Sequence, residues 1–145
     1  MEVTSSILKG QWSGYFKYGQ QFGNLNGQKV IFRISLNETE EKQFYGKCIE
    51  IEGEGANPGL AEIKGYMEGN CITFVKEYPV NYLFDEELNL VENKKMPAPL
   101  LTYFGEYNWQ SKTFAGHWEL EMNHGFFIDG DSVTVLTGTW EMRKI

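Results

Sequence analysis

Six separate runs of this chain place a glycine two residues from an aromatic or sulfur-bearing side chain, as in Trp12/Gly14, Gly46/Cys48, Gly65/Met67, Gly105/Tyr107, Gly116/Trp118 and Gly138/Trp140. Each pair lies inside a run of alternating apolar and polar residues, where a separation of two means a shared strand face. Interior glycine costs a strand roughly 0.5–1 kcal/mol against alanine, so its repetition on one face needs a reason. A flat two-sheet sandwich supplies none. A closed barrel does, because large inward side chains fit across a narrow lumen only if small ones alternate with them, and because glycine lets strands bend to close.

About eight such runs are legible, at roughly 10–18, 28–36, 42–52, 60–68, 70–78, 98–108, 112–122 and 133–143. The second is the cleanest, with Val30, Phe32, Ile34 and Leu36 on one side and Arg33 and Ser35 on the other. Turn formers at Asn37–Glu41, Gly53–Gly59, Gly69–Asn70 and Trp109–Lys112 make short links, and short links join antiparallel neighbours. The expectation is an all-β, antiparallel up-and-down β-barrel of about eight strands, forming a single domain over residues 1–145. Composition agrees: four alanines and 15% aromatic residues in 145 disfavour a helix bundle. Residues 79–97 interrupt the pattern as a charged excursion, either a long solvated loop or, from the spacing of Leu88 and Val91, a single helical turn packed over an opening.

A formal net charge of −7 repels phosphate backbones and anionic lipid surfaces, so neither nucleic acid nor membrane is an expected partner. The two cysteines, Cys48 and Cys71, are too few for a disulfide framework and read as buried free thiols. The first ten residues lack an apolar stretch of secretory length, which makes cytoplasmic the expected location.

Leu8-Lys9-Gly10-Gln11-Trp12 near the start and Thr137-Gly138-Thr139-Trp140-Glu141-Met142-Arg143 near the end resemble the calycin superfamily of lipocalins, avidins and fatty-acid-binding proteins. The resemblance covers these two ends and the eight-run layout. It implies a lipocalin- or avidin-like barrel in which Gly10-Gln11-Trp12 opens the first strand and a basic side chain of the last strand, here Arg143, packs over Trp12. A guanidinium over an indole is a favourable cation–π contact in its own right.

Alternation also places polar groups inward. Glu50 shares the face of Gly46 and Cys48, while Lys76 and Tyr78 share that of Ile72 and Phe74. A buried carboxylate or ammonium must be paired, so Glu50 and Lys76 meet each other, a ligand or water. The functional alternative makes Lys76 and Tyr78 a grip for an anionic or polar group, similar to the basic-x-Tyr pair of fatty-acid-binding proteins. Tyr103 and Tyr107 add hydroxyls, and Phe74, Trp118 and Trp140 add apolar walls. Lys76, Tyr78, Glu50, Tyr103, Tyr107, Trp118, Trp140 and Phe74 are therefore the candidate ligand-binding residues for a small hydrophobic or amphipathic molecule.

Two other functions stay open on these residues. A barrel enzyme would use Glu50 or Tyr78 for proton transfer, and a barrel packed solid would act as a protein-interaction module. No catalytic residues, metal ligands or cofactor are expected. The two histidines, His117 and His124, assemble no zinc set with the cysteines, and His117 reads as solvated beside Glu119 and Glu121. Asp85-Glu86-Glu87 and Asp129-Gly130-Asp131 lack calcium-loop spacing, and nucleophile-elbow, phosphate-loop and dinucleotide motifs are missing.

Overall fold

The computed structural model describes residues 5–39, 42–79, 81–84, 90–93, 100–123 and 133–145. Eight antiparallel strands close into a barrel: β1 (Gly10–Tyr18), β2 (Lys29–Glu38), β3 (Gln43–Glu52), β4 (Ala61–Glu68), β5 (Cys71–Glu77), β8 (Leu100–Asn108), β9 (Thr113–Asn123) and β10 (Val133–Lys144). Around the wall the order is β1-β10-β9-β8-β5-β4-β3-β2, so each strand pairs with its chain neighbour and β10 returns to β1. The eight runs read from alternation are these eight strands, displaced by a residue or two at their ends.

The excursion after β5 sets Val91 in a strand and not in a helical turn, the alternative to a long solvated loop. It carries a separate antiparallel pair, β6 (Asn81–Phe84) and β7 (Leu90–Asn93), outside the barrel sheet. Leu88 lies outside the described residues, as do both acidic turns and His124.

Strand direction divides the barrel into unlike ends. At the lower end the links β2–β3, β4–β5 and β8–β9 are short, and a four-residue helix, α1 (Ser5–Leu8), precedes β1. A 3₁₀ segment over Gln20–Leu25 and the 53–60 loop lie at the upper end, where β5 and β9 also finish and β8 and β10 begin.

The lower end is closed by Leu8 and Trp12, both fully buried, with the Trp12 indole N–H donating to the Leu8 carbonyl at 2.8 Å. Arg143 takes no part in this. It pairs with Ser13 in register and is exposed, because Trp140 and Met142 hold the inward positions of β10. The basic residue on the face of Trp12 is Lys144, directly opposite it, whose Nζ donates to the Ile7 carbonyl at 2.9 Å. The resemblance named the right strand and the wrong side of it.

The glycines do what the alternation demanded. A Cβ at Gly105 would stand 2.5 Å from Cζ2 of Trp140, and one at Gly138 would stand 2.6 Å from Cε2 of Trp118. Two of the three inward indoles thus lie in notches cut by missing side chains. Trp140 stands edge-on to Phe74 and Tyr103, with centroids 5.4 and 5.6 Å away, and Phe74 stacks on Tyr103 at 4.7 Å. Cys48 is a buried free thiol as expected; Cys71, opposite in parity to buried Ile72, is free but exposed. His117 points outward, stacked on Phe104 at 5.0 Å.

Candidate functional site

The inward polar residues meet beneath the upper end. Lys76 near the end of β5 and Glu50 near the end of β3 reach across the lumen edge, with Nζ 2.9 Å from Oε2 and both side chains only 2% exposed. The Tyr78 hydroxyl donates to the same oxygen in a short hydrogen bond. The other oxygen, Oε1, accepts the backbone N–H of Asn57 at 2.8 Å. Glu50 therefore accepts from one cation, one phenol and one amide, with both oxygens engaged.

Local backbone irregularity delivers that amide. The β2–β3 register slips between Ile31 and Phe32, a bulge that ends the alternation just after Glu50. The chain then turns through Gly53 (φ 127°) and Gly55 (φ 82°), conformations that favour glycine, and folds back over the upper end. Asn57 is buried there, and its Oδ1 accepts the Gly59 N–H at 2.8 Å, which holds the loop in shape. The Tyr18 hydroxyl adds a second tie by donating to the Glu54 carbonyl at 2.9 Å.

Around the ammonium stand three aromatic faces, Phe16 at 4.7 Å, Tyr78 at 4.9 Å and Tyr103 at 5.2 Å from Nζ to ring centroid. Burial alone would pull the Lys76 pKa down, but the Glu50 carboxylate, with smaller help from Tyr103, Tyr78 and Cys48, outweighs it and holds the pKa well above the usual lysine value. Lys76 is charged. Burial pushes the Tyr103 phenol up to about 12 against the opposing Lys76 charge, and the Cys48 thiol likewise to about 12. Burial also raises Tyr78 and Tyr18, so both stay neutral donors.

One group in this cluster is left over. The Tyr103 hydroxyl is buried and, although Lys76 lies near enough to oppose the rise in its pKa by hydrogen bonding as well as by charge, no group among the described residues meets it with full hydrogen-bond geometry. Such a group carries a desolvation cost of about 1–3 kcal/mol until something bonds to it.

Of the eight candidates, Glu50, Lys76, Tyr78 and Tyr103 converge on this spot. Phe74 and Trp140 form the layer beneath through their contacts with Tyr103. Trp118 joins from the opposite wall through Phe16, 5.8 Å away. Tyr107 shares the inward face but sits at the lower end against Phe114 and Trp109, apart from the rest. Residues the sequence reading passed over are Phe16, Tyr18, Phe22 and Asn57. Phe22 rests half-buried on Tyr18 and Trp118, at 4.9 and 5.6 Å, and roofs the aromatic side of the site. Phe16 and Tyr18 carry the parity of Trp12 and were within reach of the same alternation argument.

Three cavities lined by described residues, of about 440, 440 and 300 Å³, open on the outer wall and lower rim rather than around Lys76. Among the described residues no three His, Cys, Asp or Glu side chains group as metal ligands.

This architecture defines the class: a closed, eight-stranded antiparallel up-and-down barrel. Among solved structures, the chain is similar to the crystal structure of a rhizavidin–biotin complex, with 13% identity and a TM-score of 0.49 over 91% of this chain and 98% of that one. No protein-family model and no curated protein matches the chain.

Proposed function

We propose that the chain is a small-molecule-binding barrel that takes a largely apolar ligand through its upper end and sets the ligand's polar end against Tyr103. The observation that carries the reading is the buried Tyr103 hydroxyl without a well-formed hydrogen bond among the described residues, placed beside a charged lysine and walled by aromatic rings. A ligand acceptor would complete it and recover the desolvation cost. The polar end is uncharged rather than anionic, because Glu50 already neutralises Lys76 and a second anion would face that carboxylate. Engagement of both Glu50 oxygens by three buried donors also weighs against proton transfer by this residue. Access requires Phe22 to swing off Tyr18 and Trp118, a movement served by the kink at Gly23 (φ 57°, ψ −116°) in the 3₁₀ segment.

Native mass spectrometry of freshly purified protein, compared with its Tyr103→Phe variant, tests the reading. The wild type is expected to carry a small-molecule adduct released on unfolding. Removing the hydroxyl should lower adduct occupancy about tenfold while leaving thermal stability equal or slightly higher, since an unsatisfied group is lost. An adduct retained equally by both proteins, or its absence from the wild type together with no thermal shift across a panel of apolar metabolites, would overturn it.

A further inference from the structure

The outer wall over the β1 seam carries charge opposite in sign to the chain as a whole. Across β2, β1 and β10 the register sets Arg33, Ser13 and Arg143 in one row, Ile31, Tyr15 and Glu141 in the next, and Lys29, Lys17 and Thr139 in the third. All face outward, since Trp12, Phe16, Phe32 and Trp140 hold the inward positions. Four cations thus crowd one wall of a protein with net charge −7, and none of the four makes an ion pair among the described residues. Lys29 and Lys17 lie over the Tyr15 ring, at 4.3 and 5.9 Å from its centroid. The Tyr15 hydroxyl donates to Glu141 at 3.1 Å, fixing a carboxylate at the centre. A groove of about 440 Å³ runs beside Ser13, Tyr15, Glu141 and Arg143.

The spacing is specific. Arg33 and Arg143 flank Ser13 from the two neighbouring strands, each about 4.8 Å to the side, so both reach one anionic group above it. The lysine row is rooted four residues further along β1, about 13 Å at strand rise, with both ammonium groups leaning back over the Tyr15 ring of the row between, which also carries an isoleucine and a carboxylate. We propose that this wall binds an extended acidic segment of a partner protein, lying along β1 with carboxylates four residues apart and an apolar residue midway. In an extended chain the residues at i, i+2 and i+4 share a face and span that same 13 Å. Glu141 rejects a central acid. It also disfavours single-stranded nucleic acid, whose phosphate at every nucleotide would set a charge against the middle row, and the net charge of −7 repels a polyanion further.

The test is fluorescence anisotropy with the whole chain and two labelled peptides of one composition. Gly-Glu-Thr-Val-Thr-Glu-Gly has the proposed spacing, and Gly-Thr-Glu-Val-Glu-Thr-Gly brings the acids next to the valine. At about 50 mM salt the first should bind at least threefold more tightly than the second, and affinity should fall about tenfold or more by 0.5 M salt. Arg33→Ser/Arg143→Ser and Lys17→Ser/Lys29→Ser, two independent surface pairs, should each weaken binding about tenfold with the fold intact by circular dichroism. Lys9→Ser/Lys64→Ser removes the same charge elsewhere and should change it less than about twofold. The proposal is overturned by equal affinity for the two peptides, by no binding up to about 1 mM, or by equal losses in the control pair. Tighter binding of an oligothymidylate also overturns it, as does self-association abolished by the same substitutions, which would make the occupant a second copy.

Discussion

Replacing Lys76 with methionine keeps most of the stem volume and removes the charge. The ammonium lies 2.9 Å from Glu50 Oε2 with both side chains 2% exposed, so the substitution leaves a buried carboxylate held only by the Tyr78 hydroxyl and the Asn57 N–H. Removing one partner of such a pair costs about 3–5 kcal/mol. Urea unfolding at pH 7 should show a deficit of about 3–5 kcal/mol. In the double variant Lys76→Met/Glu50→Gln the amide oxygen accepts the Asn57 N–H and the amide N–H₂ donates to the Tyr78 hydroxyl, with no charge to bury, so stability should return to within about 1 kcal/mol of wild type. A single-variant deficit below about 1 kcal/mol, or a double variant no more stable than the single one, would refute the buried-pair account.

Gly138→Ala would press a methyl against the Trp118 indole and the Lys17 carbonyl, and should lower stability by about 1–3 kcal/mol, read as a drop in melting midpoint with a shifted tryptophan emission. Burial holds protons on Tyr103 and Cys48 up to about 12 and raises Tyr18 and Tyr78, and Glu50 holds one on Lys76. The unfolded chain releases these from about pH 9 upward, so stability should fall as pH rises beyond that point. Tyrosinate absorbance of these three side chains should appear together with loss of the strand circular dichroism signal, and ionisation well before unfolding would contradict the burial. Arg143→Ala should change stability by less than about 0.5 kcal/mol, whereas Lys144→Ala, which removes the bond to Ile7 at the lower plug, should cost about 1 kcal/mol; equal effects would refute the corrected assignment.

The barrel was legible because its rule is local. A period of two assigns every side chain to a face and sets glycines among the large inward residues of each strand, although the rings that fill the notches at Gly105 and Gly138, Trp140 and Trp118, come from other strands. The same rule, applied through to the end of β10, excludes Arg143 and selects Lys144, and applied to Cys71 it exposes the thiol beside buried Ile72. Both errors came from setting parity aside, for a family pattern in one case and for the average behaviour of free cysteine in the other. Height along the barrel is a different matter. Tyr103 and Tyr107 are equivalent by parity, and only register and strand direction show that one adjoins Lys76 while the other lies with Phe114 at the far end. The Asn57 contribution had no side-chain signature at all, since the donor is its backbone N–H carried in by a bulge and two glycines.

That donor changes what the buried pair means. An ion pair serving stability alone gains little over apolar residues of the same volume, because desolvation consumes most of the attraction. Glu50, however, ties three separate pieces of chain together: β3 through its own backbone, β5 through Lys76 with Tyr78 just beyond it, and the upper loop through Asn57. No hydrocarbon can hold the loop that way, because only an acceptor can answer a buried N–H. The ammonium in turn faces the Tyr103 ring, whose hydroxyl is buried without a well-formed hydrogen bond among the described residues. A ligand bonded to Tyr103 would therefore share a polar network with the loop that covers it. A substitution that frees the loop, such as Asn57→Pro, which deletes the N–H, should accelerate ligand release while leaving the Tyr103 contact in place.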